Sequence, residues 1–141
     1  MAEGSQQLNE PPWPQEDISD EDTLFLRVHR SYMRDGGATI PPGVFKNKPT
    51  DNDGMSTNWS KYCSELEARE RARNPIDNGV VAATVREVRS VPSQIVRHTP
   101  IQRGGAASPD RSHTDVFGPK TTEVRAKLSK TFQWRVRLEQ T

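Results

Sequence analysis

Thr23-Leu24-Phe25-Leu26-Arg27-Val28-His29 sets the frame in which the rest of the chain is read. Leu24, Leu26 and Val28 recur at every second position, the period of a β-strand whose successive side chains point to opposite faces. One face is therefore aliphatic, and the other carries Arg27 and His29 on the same side. The period returns at the end of the sequence, where Phe132, Trp134, Val136 and Leu138 alternate with Gln133, Arg135, Arg137 and Glu139. That second strand has a core face and a polar, mostly basic face.

Between them, Asn78-Gly79 is a turn signal, and the continuous β-branched run from Val80 to Val85 predicts a strand covered on both sides, the candidate for the central strand. Gln94 to Thr99 and Ser112 to Phe117 read as two further short strands. Ser64 followed three residues later by Glu67 is a capping box, opening a surface helix over about Glu65 to Arg73 that Asn74-Pro75 stops. Met55 to Tyr62 reads as the approach to that helix. Arg86 to Ser90 suits a short helical turn, and Val124 and Leu128, four apart, predict an amphipathic helix over Thr121 to Ser129. Turn clusters between Asp35 and Gly54 predict a long surface loop pinned by Val44 and Phe45, and Gln102 to Arg111 predicts another. The order β, loop, α, β, β, β, α, β has no regular βαβ alternation. It predicts an α+β fold, a small single domain over residues 23–141 with a mostly antiparallel sheet and two peripheral helices.

Charge is divided unevenly. The chain of 141 residues has 20 Lys and Arg against 19 Asp and Glu, yet residues 1–22 hold seven of the acids and no base. With its Pro11 to Pro14 cluster and only Leu8, Trp13 and Ile18 as burial candidates, this segment is expected to be a disordered acidic arm. Trp13, set between prolines, is its candidate partner-binding anchor. A mobile arm would screen the basic body weakly, so removing residues 1–22 is expected to raise polyanion affinity and leave the fold intact. No apolar run reaches the length of a membrane span, and the start lacks the order of a signal peptide. A lone Cys63 excludes an internal disulfide. The expectation is a cytoplasmic protein with no membrane association.

Candidate site residues come from the polar strand faces. Arg27 and His29 would place a guanidinium beside an imidazole, an anion fork next to a base that titrates near neutrality. His29, His98 and His113 sit in or beside strands and could converge, although none has local metal-ligand spacing, so neither a metal nor a cofactor is expected. Arg outnumbers Lys by 14 to 6, and Arg97, Arg135 and Arg137, with Lys120, are the candidate anion-binding residues if their strands are neighbours. There is no dinucleotide fingerprint, P-loop, His-Glu-x-x-His or nucleophile elbow. Asp51-Asn-Asp53-Gly54 breaks the spacing of a calcium loop.

Phe25-Leu-Arg-Val-His29, Gly43-Val-Phe-Lys46, Met55-Ser56 with Trp59, and His113-Thr-Asp-Val-Phe-Gly118-Pro-Lys120 together resemble a group of short bacterial proteins of unknown function. The resemblance covers most of residues 23–137 and implies that Arg27, His29, Ser56, His113 and Lys120 cluster. The resemblance implies no activity; the arm, the loops and the polar strand faces give three functional expectations. The first is an accessory protein that docks on a larger protein or nucleoprotein assembly through its arm and loops. The second is a small enzyme acting on a nucleotide or RNA phosphate, with Arg27 binding the anion and His29 or His113 as acid and base. The third is a nucleic-acid binder using the Arg97, Arg135 and Arg137 face.

Overall fold

Among the described residues six strands form one sheet: β1 (Thr23–His29), β2 (Met55–Trp59), β3 (Asn78–Thr84), β4 (Ile95–His98), β5 (His113–Phe117) and β6 (Gln133–Val136). Their spatial order is β4-β5-β2-β1-β3-β6, and every pairing is antiparallel. Among the described residues three α-helices accompany them: α1 (Glu65–Glu70), α2 (Val85–Arg89) and α3 (Thr122–Thr131). This computed structural model describes residues 12–49, 54–104 and 108–138. The architecture is the α+β arrangement expected, with α2 as the short helical turn between the two longer helices.

Local chemistry explains the helix boundaries. Ser64 Oγ accepts from Glu67 N–H while the Glu67 carboxylate accepts from Ser64 N–H, and Thr84 with Glu87 repeats the box at α2. Each box satisfies two of the donors that a helix start leaves unpaired. Val124 and Leu128 bury the inner side of α3, as their spacing predicts.

The two sheet faces differ. Leu24, Leu26, Val28, Met55, Trp59, Val81, Ala83, Val96 and Val116 point into the main core with Ile40, Val44, Phe45, Val88 and Leu128. The opposite face has a smaller apolar cluster, Phe25, Cys63, Ala68, Val80 and Ala82, where α1 covers one part of the sheet. Beyond α1 that face carries the polar row Arg27, Ser56, Asn58, His113 and Asp115, with Ile95 and Phe117 at its far edge.

Several expectations change. β2 is a strand where the sequence reads as the approach to a helix, because its residues mix Met55 and Trp59 with Ser56, Thr57 and Asn58; the two buried polar ones, Thr57 and Asn58, become acceptable in mid-sheet because they are hydrogen-bonded there. Thr57 Oγ1 donates to Thr114 O at 2.8 Å, and Asn58 Nδ2 donates to Asp110 Oδ2 and Ser112 Oγ at 2.9 and 2.8 Å. β3 is buried on both faces but lies between β1 and the edge strand β6, so β2 and β1 hold the centre. Arg97 on β4 and Arg135 on β6 stand on opposite edges of the sheet, not on neighbouring strands.

The arm is the largest correction. Residues 1–11 lie outside the described residues, but residues 12–22 pack on the body. Ile18 is buried in the main core. Val85 N–H donates to Asp22 O at 2.8 Å and Arg86 N–H to Asp20 O at 3.0 Å; the Asp22 carboxylate accepts from Trp59 Nε1 at 2.8 Å. Composition misled here because a few specific bonds and one buried isoleucine fix a segment that is polar on average. Trp13 is also occupied: its backbone exchanges two hydrogen bonds with the Gln102 side chain, and the Arg103 guanidinium lies over its ring. Among the described residues no helix is long and apolar enough to cross a membrane.

Candidate active-site cleft

Side-chain parity assembles a polar row on the second face. Phe25 of β1 pairs with Asn58 of β2, and Asn58 pairs with His113 of β5. Moving two residues along each strand keeps the face and puts Arg27 of β1 beside Ser56 of β2, itself paired with Asp115. A cavity of about 270 Å³ opens over this row, lined by Arg27, His29, Lys46, Ser56, Asn58 and His113 among others. A second cavity of about 340 Å³ shares Arg27, His29 and Asn78 with it and continues past Arg71 and Arg73. The two make one groove with a cation-rich end.

Arg27 is fixed at the junction. Its Nη1 donates to Asn58 Oδ1 at 3.3 Å and to Ala68 O at 3.0 Å. Burial pushes its guanidinium below the ordinary value, and the nearby Asp110 charge opposes that shift. An arginine stays charged through such a shift, so partial burial leaves a cation whose hydration is already reduced. Asp110, the cavity's one carboxylate, is occupied: it accepts from Asn58, from Ser112 N–H and Oγ, and lies 3.4 Å from Arg71 Nη2.

The two histidines here have defined tautomers. His29 Nδ1 accepts from Ser31 N–H at 3.0 Å, so in the neutral ring Nε2 bears the proton. His113 Nδ1 lies 2.9 Å from Thr99 O; a carbonyl only accepts, so Nδ1 donates and Nε2 is the free base. That Nε2 is 3.2 Å from Ser56 Oγ. His98 stands apart, buried against Trp59 and Tyr62, and takes no part in the cleft. Among the described residues no group of three His, Cys, Asp or Glu could hold a metal ion.

Arg27, His29, Ser56 and His113 thus come together, whereas Lys120 does not line the cavity. Its Nζ donates to Val116 O and Gly118 O, and burial lowers its pKa to about 8. Lys48 takes the place expected of it, donating to Ser56 Oγ at 3.0 Å and pairing with Asp115. Lys48, Asn58, Thr99 and Asp115 had no sequence signal of their own, since only the strand order makes them neighbours. The other candidates are dispersed: Arg97 covers the Phe117 ring, Arg135 pairs with Glu65 at 3.1 Å, and Arg137 donates to Gly37 O.

Compared with protein-family models, curated proteins and solved structures, the chain matches none. The resemblance to short bacterial proteins gains no named family from them.

Proposed function

We propose that this protein is a small enzyme that binds a phosphorylated small molecule in the cleft, with Arg27 holding the anion and His113 and His29 serving acid–base chemistry. One observation carries the reading: Arg27 and His29 of β1 and His113 of β5, two strands apart in the sheet, line a single cavity. Convergence of an anion anchor with a free imidazole base is the minimum that such chemistry requires. Lys46, Arg71 and Arg73 add positive charge along the groove, which favours phosphate over a neutral ligand. The docking-protein reading relies on an arm and loops free to engage a partner, and residues 12–22 together with Ile40, Val44 and Phe45 are instead committed to the body.

Titration with inorganic phosphate and a set of nucleoside 5′-monophosphates, followed by calorimetry, tests the proposal. Arg27→Gln should weaken binding at least tenfold, since a charge-assisted hydrogen bond contributes about 1.5–3 kcal/mol. His113→Gln should retain binding and lose turnover of the accepted ester. Equal affinities in wild type and Arg27→Gln would remove the anchor and the proposal with it.

A further inference from the structure

Ser56 and His113 belong to a ring of hydrogen bonds that anion binding alone does not need. Lys48 Nζ donates to Ser56 Oγ at 3.0 Å and to Asp115 Oδ1. Thr99 Oγ1 donates to the other Asp115 oxygen at 2.9 Å, and Thr99 O accepts from His113 Nδ1. His113 Nε2 faces Ser56 Oγ at 3.2 Å. Each direction follows from what the atoms can do: an ammonium only donates, and a carbonyl or carboxylate only accepts. With the neutral imidazole carrying its proton on Nδ1, the one strand of the ring left for the serine proton runs from Oγ to Nε2. Ser56 is half-buried and lines the cavity, so its oxygen is reachable from the groove.

We infer that Ser56 is the nucleophile of the cleft, that His113 is its base, and that it attacks phosphate monoesters. This rests on the phosphate-binding reading above. The arrangement has the three parts an activated serine needs: a hydroxyl, a base within hydrogen-bond reach, and a group orienting that base. Here the orienting group is the Thr99 carbonyl, with Asp115 steadying Thr99 from behind. Lys48 adds a cation on the oxygen that becomes anionic as the proton leaves. Lys48, Thr99 and Asp115 are positioning residues.

The step balances with water as the only co-reactant. The Ser56 Oγ–H proton moves to His113 Nε2 as the Oγ–P bond forms. The P–O bond to the leaving alcohol breaks, and the alcohol takes the proton from Nε2. Water then attacks the phosphoseryl phosphorus and gives a proton to Nε2, and Oγ leaves and recovers it. The products are the alcohol and inorganic phosphate. The Arg27 end of the groove would hold the non-bridging oxygens while this happens.

A fluorophosphonate tests the nucleophile without knowledge of the natural substrate, because an activated serine displaces fluoride from phosphorus. Intact-mass and peptide mass spectrometry should find one adduct, on Ser56. Ser56→Ala should abolish it, and His113→Gln should slow it at least 100-fold, the usual contribution of a general base, with thermal melts confirming that both variants fold. Inorganic phosphate should protect Ser56 from the reagent in a concentration-dependent way. Phosphate binding by calorimetry without any label on Ser56 overturns the nucleophile and leaves the anion cleft standing. Labelling that is as fast in His113→Gln as in wild type also overturns it. Labelling on Ser56 with no phosphate binding keeps the nucleophile and removes the phosphate reading.

Discussion

The backbone N–H of Glu16 donates to Nδ1 of His98 at 3.0 Å. Because Nδ1 accepts, the proton of the neutral ring sits on Nε2, which donates to Arg111 O at 2.6 Å. His98 therefore bridges the N-terminal segment to the loop before β5, while its ring packs edge-on against Trp59 and stacks on Tyr62. The Glu16 carboxylate accepts from Tyr62 Oη and Lys61 Nζ on the same side, and these bonds hold it below the usual carboxylate pKa. His98→Ala removes both bonds and leaves a cavity beside Trp59. It should cost about 3 kcal/mol in urea denaturation and raise amide exchange at Glu16, with no direct loss of phosphate binding in the cleft.

Ile18 gives the same segment its apolar anchor, being 6 % exposed within the main core. Ile18→Ala should destabilise the protein by about 2–4 kcal/mol. Removal of residues 1–22 should be worse, because Asp22 is also lost from Trp59 and from the start of α2. A truncated protein with an unchanged urea midpoint would return residues 12–22 to the status of a loose arm. The ion pairs Arg86–Glu21 and Arg89–Asp20 are exposed and add little to this.

How much of this was legible depends on where each signal resides. The strand periods of Thr23–His29 and the closing segment, the Ser64/Glu67 capping box and the Val124/Leu128 spacing are local patterns, and each element formed where its residues pointed. β2 was hidden because burial of Thr57 and Asn58 is tolerated only through bonds to Thr114, Asp110 and Ser112, more than fifty positions away. The shared face of Arg27 and His29 could be read from one strand. That His113 and Ser56 would join them required the order β5-β2-β1, which no local pattern encodes; the motif resemblance grouped them without a reason. Lys48 lies in a loop with no local pattern of its own, and because strand order is not local, Arg97 and Arg135 read as neighbours although they lie on opposite edges.

Lys120 predicts a pH dependence. Burial lowers its folded pKa to about 8 from the usual 10.5, with Asp115 acting weakly the other way. Between those values the unfolded chain binds more protons than the folded one, so stability rises as pH increases from about 8 to 10.5. The contribution is fully present above 10.5 and is lost as pH falls through about 8. Urea midpoints measured across that range should climb in wild type, and the climb should be smaller in Lys120→Met. Parallel profiles for the two proteins would show that Lys120 is not the group responsible.

Gly118 links the fold to the cleft. It follows β5 with φ 124°, and a Cβ there would stand 2.1 Å from Ser93 O, a distance no side chain can occupy and a conformation that disfavours any residue but glycine. Its carbonyl accepts from Asn47 Nδ2 at 3.0 Å and from Lys120 Nζ at 2.8 Å, so the corner ties the segment bearing Lys48 to the end of β5. Gly118→Ala must displace either the Ser93 strand entry or this corner, at a cost of at least about 2 kcal/mol. If the corner moves, Asn47 is released and Lys48 is no longer held against Ser56. Fluorophosphonate labelling of Ser56, measured well below the thermal transition of the variant, should then slow severalfold. A variant that loses stability but labels at the wild-type rate would show that Asp115 alone keeps Lys48 in place.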